Sequence, residues 1–77
     1  MSNYDRIMEV LEESFLGVNI DNVTDENIID TLQENGLACT LLGSEYYSTL
    51  DEYEVYIKEA CAYIAFVFED DTCVDIY

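Results

Sequence analysis

The longest apolar run of the chain lies near its C-terminal end. Seven apolar residues, Ala62 to Phe68, precede the acidic tripeptide Glu69-Asp70-Asp71, and Thr72–Tyr77 then alternates apolar with polar positions. β-Branched and aromatic residues on both sides of a short polar break predict a β-hairpin whose first strand is buried on both faces. Because an isolated hairpin is only marginally stable in water, the rest of the chain is expected to cover it.

The N-terminal segment has the pattern of an amphipathic helix. Apolar residues recur at spacings of three and four from Tyr4 to Phe15, and acidic residues fall mostly on the opposite face. Ser2 begins a capping-box pattern, and Gly17 stands where a glycine commonly ends a helix. A first helix is therefore predicted from about Asn3 to Leu16.

A second helix is predicted between clear start and stop signals. Thr24 is a favourable N-cap residue, and the acidic residues Asp25 and Glu26 suit the positive end of the helix dipole. The sequence Asn35-Gly36-Leu37 is typical of a Schellman stop. The connector Val18–Val23 alternates apolar with polar residues, which predicts either a brief strand or three docked apolar side chains.

The central segment contains one strand signal and one ambiguous pattern. The apolar run Leu37–Leu42 lies between two glycines and predicts a strand, whereas Ser44–Tyr47 predicts a turn or loop. In Ser48–Cys61 the length and a capping pair, Thr49 with Glu52, favour a third helix. Alternating apolar and acidic residues in the same segment fit a strand. We predict the helix and keep the strand as the alternative.

Together these elements predict the order α-α-β-α-β-β. This is an α+β fold with two N-terminal helices, a third helix, and a small antiparallel sheet that ends in the C-terminal β-hairpin. The length leaves room for one domain only, which is taken as residues 1–77.

The charge of the chain points to the kind of partner that it binds. Eighteen Asp and Glu residues against two basic residues give a formal net charge of −16. Solubility needs a net charge of only about 2–8 for a small domain, and a larger excess destabilises the fold through self-repulsion. A strongly negative surface repels nucleic acid and anionic membranes and attracts basic proteins. We therefore expect a basic protein partner, with neither nucleic acid nor membrane bound.

The residue types present do not favour catalysis. The chain has no histidine, so a Ser-His-Asp or Cys-His arrangement cannot be built. Two oxygen-rich runs, Asp21–Glu26 and Glu69–Asp71, could offer ligands to calcium but lack the glycine turn and terminal glutamate of a calcium-binding loop. A helix N-terminus and a hairpin turn are the stronger interpretations of these runs. We predict a protein without enzymatic activity, metal or cofactor.

Three cysteines, Cys39, Cys61 and Cys73, are an odd number without metal-site spacing. With no signal peptide and no long apolar run, they are expected to be reduced, buried, structural thiols in a cytoplasmic protein, with one intermolecular disulfide as the alternative. A small core and an edge strand over Cys73–Tyr77 also favour a homodimer.

The acidic residues themselves form the candidate interface. Acidic neighbours on a helix stand roughly 5–6 Å apart at Cβ, and duplex DNA carries one phosphate charge per ~3.4 Å of axis in each strand. Rigid elements with this density of acids can occupy a groove that evolved to bind DNA. The candidate partner-binding residues are Glu9, Glu12, Glu13, Asp25, Glu26, Asp30, Asp51, Glu52, Glu54, Glu69, Asp70, Asp71, Tyr53 and Tyr56.

In its size, acidity and lack of catalytic groups, the chain resembles the small DNA-mimic inhibitors that phages and mobile elements produce against host nucleases. Those include anti-restriction, anti-CRISPR and uracil-DNA glycosylase inhibitor proteins. The resemblance rests on composition and layout and carries over no residue roles. It implies a virus-encoded inhibitor that acts in the host cytoplasm by stoichiometric binding. The alternatives are an immunity protein for a basic nuclease toxin and an acidic dimeric adaptor.

Overall fold

A computed structural model describes residues 3–77 and contains two helices packed on one face of a four-stranded antiparallel sheet. The strands lie side by side in chain order, which confirms the α+β class, the two N-terminal helices and the C-terminal hairpin. Ser2 and its capping pattern lie outside the described residues. The helices are α1 (Asn3–Phe15) and α2 (Asp25–Glu34), and the strands are β1 (Leu41–Tyr47), β2 (Glu52–Ile57), β3 (Ala62–Glu69) and β4 (Thr72–Ile76).

Helix α1 lays its apolar stripe on the sheet, as its spacing predicts. Ile7, Val10, Leu11 and Phe15 are all buried there. The helix ends before Gly17, which adopts a positive φ of 84°, a conformation that favours glycine. The chain then turns toward β4.

Helix α2 is capped at both ends by the predicted residues. The Thr24 hydroxyl accepts a hydrogen bond from the Asn27 amide at 3.2 Å. At the other end Gly36 has a φ of 76°, and the Leu37 amide donates to the Leu32 carbonyl at 2.9 Å. This is the hydrogen bond that defines a Schellman stop, so the prediction is confirmed.

The predicted third helix over Ser48–Cys61 is wrong for most of that segment. Strand β2 occupies Glu52–Ile57, and only Lys58–Ala60 form a short 3-10 turn. The alternation that first competed with the helical pattern decides the structure, because every second residue of β2 packs against an apolar residue of β3. Val55 faces Ile64 across the two strands, and both are fully buried.

Strand β1 is displaced toward the C-terminus from its predicted position. It starts at Leu41, passes through Gly43 and includes Ser44–Tyr47, so the predicted loop there is wrong. Gly43 lies at an irregularity in the pairing of β1 with β2, a place where glycine is common. The preceding segment 37–40 is not a strand; it is held by Glu59, whose carboxylate accepts from the Thr40 amide and hydroxyl at 2.6 and 2.9 Å.

The two edges of the sheet differ. At the β4 edge, the Cys73 amide donates to the Val18 carbonyl at 2.9 Å, and the Gly17 amide donates to the Cys73 carbonyl at 2.8 Å. Connector Val18–Val23 thus provides both brief strand pairing and docked apolar groups, with Val23 buried. The predicted edge strand over Cys73–Tyr77 is therefore partly covered. Within residues 3–77, no strand pairs with the outer edge of β1.

Asp70 and Asp71 form the tight turn between β3 and β4, as predicted. Both have positive φ values, 50° and 62°, which a two-residue type I′ turn requires and which Asp tolerates better than most residues. The acidic tripeptide is therefore part of a hairpin turn.

The three cysteines are free thiols in different surroundings. Cys73 is buried as predicted, whereas Cys61 is exposed and Cys39 is half-buried, so the prediction of three buried thiols is wrong. Burial, together with the nearby Glu59 carboxylate, raises the pKa of Cys39 to about 11. Neither helix of the described chain is long and apolar enough to cross a membrane.

Candidate partner-binding surface

The acidic side chains lie at or near the surface, where several accept hydrogen bonds but few meet a basic residue of the described chain. No polar or charged residue is buried in the part of the chain that the structure describes. Within the same residues there is one ion pair, between Arg6 and Glu9 on α1, with its charged atoms 3.0 Å apart. Most of the net charge of −16 is therefore available to a partner.

The side of the sheet that the helices leave uncovered carries an unusual set of residues, and we call it the open face. Its members alternate along each strand with the buried residues that contact the helices, and opposed residues of neighbouring strands share a side. The open face consists of Glu45, Tyr47, Glu52, Glu54, Tyr56, Tyr63, Val67, Asp75 and Tyr77, together with Gly43 and Ala65.

Carboxylates on the open face are held close together by the strand register. Glu45 of β1 lies directly opposite Glu54 of β2. Directly opposed residues have Cβ atoms about 4.5–5.5 Å apart, and like charges at this distance destabilise a sheet. The register therefore places two carboxylates side by side on the open face.

Tyrosines lie among these carboxylates. The Tyr77 hydroxyl donates to Glu52 at 2.7 Å, and this hydrogen bond is the main reason that the pKa of Tyr77 is raised. A hydrogen bond to Glu45 likewise raises the pKa of Tyr47. In both cases the carboxylate stabilises the protonated phenol.

A second pair of rings lies beside the opposed carboxylates. Tyr56 and Tyr63 are directly opposed across β2 and β3, and their rings meet edge to face with centroids 4.9 Å apart. Tyr63 is 66% exposed. On the other side of Tyr56, the directly opposed residue of β1 is Gly43, which has no side chain.

An open pocket of about 320 Å³ lies on this face beside Gly43. The pocket lies over the β1–β2 pair, and a Cβ added at Gly43 would meet no atom within 4 Å. Its lining residues are Gly43, Ser44, Glu45, Tyr47, Glu54 and Tyr63.

The predicted interface residues do not form one patch. Glu52, Glu54 and Tyr56 lie together on the open face, and Glu69 continues it at the end of β3 beside the Asp70-Asp71 turn. The predicted acids of the helix layer lie on the other side of the sheet and are exposed; they are Glu9, Glu12, Glu13, Glu26 and Asp30.

Besides Glu9 and Glu52, whose partners are given above, three predicted residues form hydrogen bonds that join elements of the fold. Asp25 accepts hydrogen bonds from Ser44 at 2.8 Å and from the Tyr53 hydroxyl, which joins α2 to β1 and β2. Tyr53 thus points toward the helices and is not on the open face. Asp51 ends the β1–β2 turn with a φ of 51° and accepts a hydrogen bond from Tyr46.

The sequence-based prediction missed Glu45, Tyr47, Tyr63 and Tyr77 as members of the surface. The signal that could have found them was the alternation in Glu52–Ile57. Once that segment is taken as a strand, Glu54 and Tyr56 share a face, and hairpin pairing adds Tyr63 and Glu45 to it.

Comparisons of the chain with known protein families, with curated proteins and with solved structures gave no match. Among residues 3–77, no group of three or more Cys, Asp or Glu residues is arranged to hold a metal ion.

Proposed function

We propose that this protein is a non-enzymatic inhibitor that binds a basic, DNA-binding protein and presents carboxylates in place of nucleic-acid phosphates. One observation carries the proposal. Most acidic groups are exposed, on both layers of the fold, and they are almost unneutralised within the described chain, where a single ion pair is present. Charge that serves only solubility would not need this excess, which self-repulsion makes costly.

The regular elements give that charge a fixed spacing. Alternate residues on one side of a strand are roughly 6.6–6.8 Å apart, and acids on a helix face are separated by about 5–6 Å. The DNA-binding partner has Lys and Arg residues that are positioned to contact successive phosphates. On this protein they would meet carboxylates at a similar spacing, held by rigid helices and strands. Binding would be governed by electrostatic steering at long range and by contacts of the open face at short range.

The proposal is tested by capture followed by competition. Immobilised protein is exposed to cell lysate at low and moderate salt, and a captured protein is purified and mixed with a fluorescent DNA duplex. We expect the captured protein to be a nuclease or another DNA-binding protein. We expect it to release the duplex as one equivalent of inhibitor is added, with an affinity that falls as salt is raised.

Two triple variants, each of which removes three negative charges, test whether association depends on the total charge. One replaces Glu12, Glu13 and Glu34 of the helices by Gln, and the other replaces Glu45, Glu52 and Glu54 of the open face by Gln. Both should slow association, by roughly tenfold at low salt, because steering follows the total charge. A captured protein that keeps its DNA in the presence of excess inhibitor, or binding that is insensitive to salt, would contradict the proposal.

A further inference from the structure

We infer that the pocket between Tyr47 and Tyr63 is an arginine-binding site, and that it receives a guanidinium group from the basic partner. This inference rests on the proposed function for the identity of the partner. It goes further by assigning one pocket of the open face as the centre of the contact and one residue type as its occupant.

The composition of the pocket matches a guanidinium group. Its lining residues include Glu45 and Glu54, which are directly opposed across β1 and β2, together with Tyr47 and Tyr63. Arginine can donate two parallel hydrogen bonds to carboxylates while its planar group stacks on an aromatic ring. Its weaker hydration makes it better suited than lysine to a site with aromatic walls.

The pairing of Glu45 with Glu54 points independently to a cation. Like charges directly opposite each other destabilise an antiparallel pair, and no ion pair within residues 3–77 involves either side chain. A guanidinium group placed between them would turn this repulsion into two charge-assisted hydrogen bonds.

A second copy of this chain is poorly suited to supply the cation, because it carries only two basic residues, Arg6 and Lys58. Its one arginine, Arg6, lies on α1 and is paired with Glu9, and each copy has a net charge of −16. Two open faces in contact would oppose carboxylates to carboxylates. The occupant must therefore come from a protein that is rich in basic residues.

The shape of the pocket has an identifiable cause, which provides a specific test. Gly43 leaves space beside Tyr56 and Tyr63, and a Cβ at this position would meet no atom within 4 Å. Gly43→Thr should narrow the pocket without a steric clash and without changing a charge, since threonine is a good strand residue.

The experiment uses two acetylated and amidated peptides as probes, Arg-Gly-Arg-Gly-Arg and Lys-Gly-Lys-Gly-Lys, which carry equal charge. Each is titrated into isotope-labelled protein at low salt, and amide shifts and affinities are measured by NMR. We expect the arginine peptide to bind about two- to fivefold more tightly, as a cation–π contact at an exposed site implies. Its shift changes should concentrate at Gly43–Tyr47, Glu54 and Tyr63.

The variants separate the pocket from general charge. Gly43→Thr, Tyr63→Ala and Glu54→Gln should abolish the preference for arginine, and Tyr63→Phe should keep it because the ring remains. Glu12→Gln on α1, which removes the same charge as Glu54→Gln, should keep the preference. Equal affinity for the two peptides, or shift changes spread evenly over the helices, would overturn the inference.

The outcomes also distinguish this inference from the proposed function. If arginine is preferred at the pocket but no DNA-binding protein loses its DNA, the pocket stands and the proposed function fails. If a DNA-binding protein is inhibited and Gly43→Thr leaves that inhibition unchanged, the function stands and the pocket assignment fails.

Discussion

The two sides of the sheet are built from alternate residues of the same strands, yet they have opposite chemistry. On the helix side, Val55, Ile57, Ile64 and Phe66 have no exposed surface. The residues next to them along the same strands point to the open face, where carboxylates and tyrosines are in contact with solvent. The comparison indicates that the helix side determines the stability of the fold, whereas packing constrains the residues of the open face less.

The largest expected effect comes from removing a side chain on the helix side. Phe66 is fully buried and packs edge to face on Phe15 with ring centroids 5.7 Å apart. Phe66→Ala should lower the free energy of unfolding by about 3–5 kcal/mol because it leaves a cavity in a small core. Urea denaturation followed by circular dichroism measures this loss.

The control for this prediction is an aromatic residue on the other side of the same strand. Tyr63→Ala should cost less than about 1 kcal/mol, since it removes an exposed cross-strand contact with Tyr56. Similar losses for the two variants would show that the open face contributes to the fold as much as the core does.

A smaller effect of opposite sign is expected on the open face. Glu45→Gln removes one charge of a directly opposed pair and should stabilise the protein by roughly 0.2–1 kcal/mol at low salt. The gain should shrink in high salt, where the repulsion is screened. Chemical denaturation at two salt concentrations measures it.

Glu69→Gln is the matched control, because Glu69 lies opposite Thr72 and not opposite a carboxylate. It changes the net charge equally and should give a smaller gain. If Glu45→Gln gives no gain over this control, the opposed pair carries no repulsion that a partner could relieve.

The smallest effect is a pH dependence of the open face. Carboxylate hydrogen bonds raise the pKa values of Tyr47 and Tyr77 above that of a free tyrosine. Stability from a raised pKa is fully present below the unfolded value, near pH 10, and is lost as pH rises through the folded value. The contribution of these two tyrosines to the free energy of unfolding should therefore be level from neutral pH to about pH 10 and decline above it. The raised pKa of Cys39 adds a decline that begins lower, near pH 9.

Tyr77→Phe should make that alkaline decline shallower, because it removes the phenol that donates to Glu52. Tyrosinate absorbance during titration gives an independent measure of the same groups. A decline that is unchanged in Tyr77→Phe would show that this hydrogen bond does not form in solution.

Local signals in the sequence were sufficient to predict both helices and the C-terminal hairpin. The Thr24 cap, the Asn35-Gly36-Leu37 stop and the Asp70-Asp71 turn all act within a few residues, so their geometry can be inferred from the chain alone.

Pairing between separate strands explains the two errors in strand placement. In Ser48–Cys61 the helical and strand patterns both fit, and contact with β3, a separate element, decides in favour of β2. Gly43 has the appearance of a strand terminus in the sequence, but pairing with β2 carries the strand through it. Isolated sequence patterns do not contain the partner that stabilises them.

The same reason limits how well the candidate surface could be predicted. Net charge indicates a basic partner, but it does not select among eighteen acidic residues. The opposition of Glu45 to Glu54 and the space at Gly43 exist only once the strands are in register. Charge was therefore predictable from composition, whereas the pocket was not.

The sequential order of the four strands has a consequence for how the protein folds. Each strand pairs with the next one along the chain, so each pairing closes a short turn. Chains with mostly local pairing have low contact order and fold faster than sheets joined by long crossovers. The docking of Gly17–Ile20 onto β4 and of the helices onto the sheet are the long-range steps. We expect single-exponential refolding limited by these steps, without a long-lived intermediate in which the edge of β4 lacks its cover.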